Sequence, residues 1–521
     1  MNRSLSMPIA GLLLILGVAC RPREPTRPNI LLIVADDMGY TDVGFLGGEI
    51  STPHLDELAL GGLRFTNFHA GSSCAPTRAM LMSGVTNREV GVSGPAAVLA
   101  DNVATLPELL RDAGYHTYMA GKWHLGHEPQ HSPAARGFDA SFALVRAGDN
   151  HLGTSVYPDE DVAYRDNGAA IATLPEGWFS SQLYTDELLE FIHANEGDGI
   201  PWFGYLAFTA PHWPLQLPDI WIDRYAGRYD DGYDVVRRAR IARALELGVL
   251  PDAVDPGKFR GVAPPWETLD DASRQTLARS MELYAAMVEN MDFHVGRVVD
   301  YLRESHQLDN TVIVFFSDNG ASGSDASFRP VTFPRTDWDS TLPNMGREGS
   351  FVAIGRGWAE AATAPYREVK GSLHEGGTLA AAFVSHASVA RPGGIDRDYV
   401  TVMDVLPTLL EIAGTSHPRV ELEGRAVLPL RGRSFWPRVV NGVGAIAPVH
   451  DDADIVPWMT TDQQGALVRG DFKVQKDEDD PTVWRLYDLN ADPGETTDVS
   501  ENHPELKAEL IAAFNDYADG L

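Results

Sequence analysis

Apolar residues in this chain gather into short, nearly unbroken runs that stop at polar or charged residues. NILLIVA (Asn29–Ala35) runs into Asp36-Asp37, HTYMA (His116–Ala120) into GKWH, WFGYLAFT (Trp202–Thr209) into APHWP, and TVIVFF (Thr311–Phe316) into SDNG. Strands that lack apolar/polar alternation belong in a sheet covered on both faces. Elsewhere the apolar spacing becomes three or four. Leu283, Met287, Met291, Val295, Val298 and Leu302 form one stripe, which predicts a half-buried helix over Met281–Leu302. A shorter helix is expected over Asp404–Ala413, with Gly414 as its stop. Strands alternating with helices predict an α/β fold: a large, mostly parallel sheet flanked by helices, with polar strand ends along one edge where ligands bind.

Past residue 445 the pattern changes. Ala466–Arg469 and Phe472–Gln475 flank Gly470-Asp471 as a hairpin, Val483–Tyr487 reads as a further strand, and Glu505–Tyr517 as an amphipathic helix. The expected organisation is therefore a catalytic α/β domain over 28–445 and a smaller antiparallel sheet with one helix over 446–521. Leu215–Ala272, rich in charge, Pro and Gly, reads as an insertion over the ligand-binding edge. At the other end, Ile9–Ala19 is an apolar run of signal-peptide length, short of the roughly 20 residues that span a bilayer. Residues 1–20 are thus expected to be an export signal. Cys20 follows Gly-Val-Ala, in a setting similar to bacterial lipoprotein signals, with Gly17 where leucine is usual. That implies lipidation at Cys20, a Pro-rich tether over 21–27, and an exported bacterial protein of the periplasm or cell envelope, lipid-anchored to a membrane.

Charge and rare residues narrow the chemistry. The formal net charge of −31 excludes nucleic acid as the natural partner, since phosphate binding needs clustered positive charge. With two cysteines, Cys20 and Cys74, a disulfide scaffold is excluded. Lysine occurs six times (Lys122, Lys258, Lys370, Lys473, Lys476 and Lys507), so its positions carry information. Asp36-Asp37 and Asp318-Asn319 both end strands. Three carboxylates and an amide oxygen form a hard, all-oxygen set suited to Ca²⁺ or Mg²⁺, and mutually repulsive without a cation. Taken singly, each pair also fits a solvated turn, and Cys74 also fits a small buried hydrophobe ahead of a helix, with Arg78 able to lower a thiol pKa or hold an anion.

The motifs together are more specific. Cys74-x-Pro76-x-Arg78 resembles the maturation signature of type I sulfatases, which oxidise the motif cysteine to Cα-formylglycine. Gly114-Tyr115-x-Thr117-x-x-x-Gly121-Lys122-Trp123-His124 resembles the family's second signature. TPHLDELA (Thr52–Ala59), Ala210-Pro211-His212, NMGREGS (Asn344–Ser350), KGSLHEGG (Lys370–Gly377) and LYDLNADPGET (Leu486–Thr496) extend the likeness over about residues 28–520, most closely to bacterial arylsulfatases. Met82 and Val85 depart from the first signature outside its Cys-Pro-Arg core.

The resemblance implies an alkaline-phosphatase-like fold and site roles residue by residue. Asp36, Asp37, Asp318 and Asn319 would hold one divalent cation, Ca²⁺ in preference to Mg²⁺, with modified Cys74 (3-oxoalanine) completing the site. Arg78 and Lys122 would stabilise the aldehyde hydrate, and His124 would hydrogen-bond it and act as base in the second step. His212 and Lys370 would bind sulfate oxygens, one of them protonating the departing alcohol. Asp318 is the expected acceptor of the nucleophile's proton. One hydroxyl of the hydrate would attack sulfur and the other, deprotonated, would expel sulfate. His151 and His374 lie close to motif segments and are candidates for the pocket rim. The site should be a positive pocket in an acidic surface.

The implied partners are a small sulfate ester, an aryl sulfate first, and transiently a formylglycine-generating enzyme; no oligomeric state is assigned. Alternatives within the fold are a carbohydrate sulfatase and a phosphonate monoester or phosphodiester hydrolase, separated by kcat/KM on matched esters. The alternative outside enzymology is an inactive surface-binding lipoprotein, separated by metal binding and sulfate release.

Overall fold

The computed structural model describes residues 27–94, 98–157, 162–251, 254, 261–324 and 338–521. The expected export signal with Cys20, and the tether up to residue 26, lie outside the described residues. Among the described residues no helix is long and apolar enough to cross a membrane.

The main sheet is built from β1 (Asn29–Ala35), β2 (Leu63–Phe65), β3 (His116–Lys122), β4 (Ala140–Leu144), β5 (Tyr164–Asp166), β6 (Ala169–Ile171), β7 (Trp202–Ala207), β8 (Thr311–Ser317), β9 (Ala382–Ser385) and β10 (Gly394–Asp396), in the order β10-β2-β9-β8-β1-β7-β3-β4-β5-β6. The central five, β8-β1-β7-β3-β4, are parallel. β9 runs antiparallel between β8 and β2, and β5 and β6 close the far edge antiparallel. The register is tight at the carboxyl ends: Ala35 lies opposite Ser317, and Ala207 opposite both Val34 and Gly121. The residues that follow these strands therefore converge on one edge.

β1 shows why its apolar run is continuous. Leu31, Ile33 and Ala35 enter the core on one face, while Ile30, Leu32 and Val34 enter the core on the other. Each such buried aliphatic side chain contributes about 1.5–3 kcal/mol. Of the helices that cover the sheet, α1 (Cys74–Ser83) and α4 (Val405–Ala413) pack on the second face, and α2 (Ser180–Ala194) and α3 (Asp271–Glu304) on the first. α3 begins ten residues before its apolar stripe suggests, because Asp270 caps it by accepting Ser273 N–H at 2.7 Å while its first turns face solvent. α4 ends as expected at Gly414, whose φ of 71° is the left-handed stop.

β11 (Val456–Thr461), β12 (Gln464–Arg469), β13 (Phe472–Lys476) and β14 (Trp484–Asp488) form the smaller antiparallel sheet, backed by α5 (Pro504–Asp519). Gly470 takes a φ of 54° in the two-residue turn between β12 and β13, a position where glycine avoids a steric penalty. One face of this sheet packs Met459, Leu467, Val474 and Leu486 on Leu510 and Phe514 of α5. The other places Val456, Trp458, Ala466 and Val468 in the core of the main sheet.

The charged stretch Leu215–Ala272 is also part of the packed fold. It contributes Ile222, Tyr225, Tyr229, Ile241 and Trp266 to the larger core. Within it, the helix Tyr233–Glu246 buries Tyr233, Arg240, Ile241 and Ala244 and leaves Arg238 and Arg243 exposed.

Candidate active site

The site residues are delivered by strand ends, by the first turns of a helix and by loops bonded to them. Asp36 and Asp37 leave β1, and Asp318 and Asn319 leave β8, with Asp318 N–H donating to Ala35 O at 3.0 Å. Lys122 ends β3, and His212 lies five residues past β7. Cys74 opens α1, whose first turn tolerates Pro76 because its N–H groups have no partner within the helix. Thr77 pins that turn down, donating from Oγ1 to Asp318 O at 2.5 Å and accepting Gly71 N–H at 2.8 Å. Lys370 arrives on a loop whose Gly371 N–H donates to Ser72 O at 2.7 Å, beside the cysteine.

The side chains meet in one buried cluster. Cys74 Sγ lies 3.2 Å from Asp36 Oδ1 and 3.6 Å from Asp37 Oδ1. Lys370 Nζ donates to Asp37 Oδ1 at 2.6 Å and to Cys74 Sγ at 3.1 Å, and Lys122 Nζ donates to Asp36 Oδ2 at 2.6 Å. Arg78 grips Asp318 Oδ2 with Nε at 3.1 Å and Nη2 at 2.8 Å, and turns Nη1 to Lys122 O and to Tyr205 Oη. His212 places Nε2 3.5 Å from Asp37 Oδ2; its Nδ1 donates to Trp213 O at 2.5 Å, so the neutral ring offers Nε2 as an acceptor. His124 follows Lys122 by two residues, buried, with φ of 57°.

Burial and close charges set the protonation states. Burial would raise Asp36, but Lys122, His212 and Arg78 outweigh it and hold the carboxyl well below its usual range. Asp37 is likewise lowered, against its burial, chiefly by Lys370 and His212. Burial and the charge on Asp36 push Asp318 up to about 6 despite Arg78. Burial, then Asp318 and Asp36, push the Cys74 thiol well above its ordinary value. Burial takes His212 down to about 4, while Asp37 keeps Lys370 charged against its burial.

Three carboxylates (Asp36, Asp37, Asp318) face three cations (Arg78, Lys122, Lys370), so these six side chains sum to zero. The expected positive pocket therefore depends on a bound cation, and the residues fit one. Asp37 Oδ2 and Asn319 Oδ1 are buried acceptors with no hydrogen-bond donor, an unfavourable state that a hard cation would relieve. Ligand atoms of Asp36, Asp37, Cys74 and His212 lie within 4.8 Å of one another. Asp318 is the most committed of the expected ligands, since Arg78 holds its Oδ2 and Asp37 N–H donates to its Oδ1 at 3.2 Å.

Two candidates for the rim lie elsewhere. His151 is not at the rim: it is fully buried behind His212, with Nε2 2.9 Å from His212 O and Nδ1 2.7 Å from Ser180 Oγ. His374 is also buried and faces Glu495, its Nδ1 3.0 Å from Oε2. Other residues of the site escape a reading of the sequence. Tyr205 lies inside an apolar strand, and Tyr284, whose hydroxyl is 3.3 Å from Asp37 O, lies in the apolar stripe of α3; both look like core. Beside His212, Trp213 (ring centroids 4.3 Å apart) continues into Phe351 at 5.5 Å and then Trp338 at 5.5 Å, an aromatic wall. Its signals are Trp213, next to the Ala-Pro-His motif, and Phe351, which directly follows NMGREGS.

Comparisons with known proteins give the family. The family model described as Sulfatase matches residues 28–415. The chain is 40% identical to an uncharacterized sulfatase of Schizosaccharomyces pombe, over 94% of this chain and 93% of the relative. It is 37% identical to the arylsulfatase of Klebsiella aerogenes, over 82% of this chain and 95% of that enzyme. The crystal structure of Ps i-CgsB in complex with k-i-k-neocarrahexaose shares the fold, with a TM-score of 0.68 at 24% identity, covering 94% of this chain and 92% of that one.

Proposed function

The chain belongs to the sulfatase family, and is by that membership a sulfuric ester hydrolase; we propose that it hydrolyses aryl sulfate monoesters at the β1/β8 edge, using Cys74 after oxidation to formylglycine. The observation that carries this reading is Cys74 Sγ held between the Asp36 and Asp37 carboxylates and the Lys370 ammonium. A hydrated formylglycine would supply the nucleophilic oxygen. Asp36, Asp37, Asp318 and Asn319 would hold a divalent cation, Ca²⁺ in preference to Mg²⁺, whose chemistry there is to offset charge on sulfuryl oxygens.

The chain's own groups do the rest. Lys122 and Lys370 place ammonium groups on the two carboxylates that touch Cys74, where they meet the anionic head of the substrate. Lys370 carries the proton for the departing oxygen, because the Nδ1–H of His212 is already committed to Trp213 O. The anionic ester favours protonation of His212, whose Nε2–H would then donate to a sulfuryl oxygen and orient it. Arg78, locked by Asp318, Lys122 O and Tyr205, keeps a fixed positive charge beneath the cluster without reorganisation. The aromatic wall supports an aryl leaving group, offering offset stacking, and the arylsulfatase relative supports it too.

The test pairs intact mass spectrometry of the Cys74 peptide with kcat/KM on 4-nitrophenyl sulfate, the matching phosphate and phosphonate esters, and sulfated sugars. A converted Cys74 with the aryl sulfate preferred is the expected result. An unmodified thiol after co-expression with a competent maturation enzyme overturns the mechanism. A preference for the phosphonate or the sugar overturns the substrate class.

A further inference from the structure

A second buried charge cluster lies against the loop that carries Lys370. Glu375 Oε2 accepts His69 Nε2–H at 2.7 Å and its Oε1 accepts Lys473 Nζ at 2.8 Å. Lys473 Nζ also reaches Glu495 Oε1 at 3.0 Å and Leu373 O at 2.6 Å. Glu495 Oε2 accepts Glu375 N–H at 2.8 Å and lies 3.0 Å from His374 Nδ1. These side chains are buried. Lys473 belongs to β13, and Glu495 follows β14 in the LYDLNADPGET segment, while Leu373, His374 and Glu375 belong to KGSLHEGG. Two sequence motifs more than 100 residues apart thus close on each other.

The cluster bears on the reacting atoms through short covalent and hydrogen-bonded paths. Lys370 is three residues from Leu373, whose carbonyl Lys473 holds, and Gly371 is tied to Ser72, two residues before Cys74. Beyond Glu375, Gly377 O accepts Gly320 N–H at 3.1 Å, next to Asn319. Ser372 Oγ donates to Glu478 Oε1 at 2.5 Å and Ser72 Oγ meets Thr460 Oγ1 at 3.0 Å, both partners lying in the smaller sheet or its turns. A loop held at several points by buried ionic and hydrogen bonds has little freedom to shift its lysine.

We propose that Lys473 and Glu495 are positioning residues for Lys370, so that the carboxyl-terminal sheet sets the sulfate-binding geometry of a site it does not itself enter. The cluster acts through the 370–377 loop and touches neither substrate nor Cys74. This inference rests on the sulfate-ester reading above: a wild-type enzyme that releases no sulfate sinks that reading, whereas an active wild type with unaltered variants sinks only the positioning role.

The experiment uses full-length enzyme with Cys74 conversion verified by mass spectrometry. It measures kcat and KM on 4-nitrophenyl sulfate, and the inhibition constant of inorganic sulfate, for Glu495→Gln, Lys473→Met and Lys473→Arg. Leu510→Ala, which opens the apolar core between α5 and the smaller sheet, is the control that destabilises the same unit elsewhere. Glu495→Gln and Lys473→Met should raise KM and the sulfate inhibition constant by about tenfold or more, as misplacement of a binding group by a distant change does. Lys473→Arg should recover most of the loss, and Leu510→Ala should lower the melting temperature with both constants unchanged. If Lys473→Met does not fold, Glu495→Gln and Lys473→Arg decide the matter. A Glu495→Gln enzyme with both constants within twofold of wild type, or a Leu510→Ala enzyme with the same rise, overturns the proposal.

Discussion

Asp37 and Asp42 lie five residues apart in the loop that leaves β1, both fully buried, and their surroundings could hardly differ more. Asp42 is satisfied: Oδ1 accepts Arg240 Nη1 at 2.6 Å, and Oδ2 accepts Tyr284 Oη–H at 2.6 Å and Gly39 N–H at 2.7 Å. Glu49 completes that group, its two oxygens accepting Arg240 Nε at 2.7 Å, Nη2 at 2.8 Å and Tyr229 Oη–H at 2.8 Å. Asp37 has Lys370 and Asn319 crowded onto Oδ1, and Oδ2 accepts no hydrogen bond. The difference teaches how to tell a working acid from a structural one when both are buried. A closed group of charges holds the fold, while an acceptor left open at low dielectric is held ready for something that comes from outside.

The largest effect expected from this contrast lies on the open side. Cys74→Ala should reduce aryl sulfate turnover by a factor on the order of 10⁴ or more, as removal of a nucleophile does. Its stability in urea should stay close to wild type, because the thiol closes no structural group. Substantial turnover in Cys74→Ala would move the nucleophile elsewhere; a collapse of stability would place Cys74 with Asp42.

On the closed side, Arg240→Met should leave activity per folded molecule largely intact and cost about 3–5 kcal/mol of stability, because Asp42 and Glu49 stay buried with their cation gone. Equilibrium urea unfolding measures it. A cost below about 1 kcal/mol would mean that the group is not closed in the sense argued here.

A cation should distinguish the two groups directly. Returning Ca²⁺ to chelator-treated protein should stabilise wild type by about 3 kcal/mol at a hundredfold excess over its dissociation constant. The gain should vanish in Asp37→Asn and persist in Arg240→Met. Thermal unfolding with and without the ion is the readout, independent of turnover. Equal stabilisation of wild type and Asp37→Asn would remove the metal from this loop.

What the sequence disclosed follows the same division. The strand ends were legible because a run such as NILLIVA stops abruptly at Asp36-Asp37, and a sheet covered on both faces makes such runs continuous. Cys74, Arg78, Lys122, His212, Asp318, Asn319 and Lys370 were legible as a set through motif spacing, and the structure brings them together. The closed groups were not legible. Arg240 lies in a charged helix where nothing local distinguishes it from its exposed neighbours Arg238 and Arg243. Lys473 and Glu495 acquire meaning only when the smaller sheet folds against the 370–377 loop. His151 and His374 are rim candidates only for being near motifs, and nearness along the chain does not say which way a side chain points. β9 and β10 escaped because short strands whose places are set by neighbouring strands carry little pattern of their own.

A third acid refines the contrast and carries the smallest effect. Asp292, in the middle of α3, is buried and accepts Leu55 N–H at 2.8 Å and His54 N–H at 3.2 Å, capping the helix Pro53–Gly61 without a cation of its own. Burial pushes its carboxyl up to about 7, against those two donors, with Asp56 and Glu289 adding like charge. The folded value lies above the unfolded one, so the folded state holds its proton more tightly. The stability contributed is therefore fully present below about pH 4 and is lost as pH rises toward 7. From pH 5 to pH 6.5 the Asp292 contribution should fall by about 2 kcal/mol, at about 1.4 kcal/mol per unit. Asp292→Asn, which keeps an acceptor for the helix N–H groups, should flatten that slope. An unchanged slope in the variant would show that two backbone donors close a buried carboxylate as well as an arginine does, and the distinction would then rest on Asp37 Oδ2 and Asn319 Oδ1 alone.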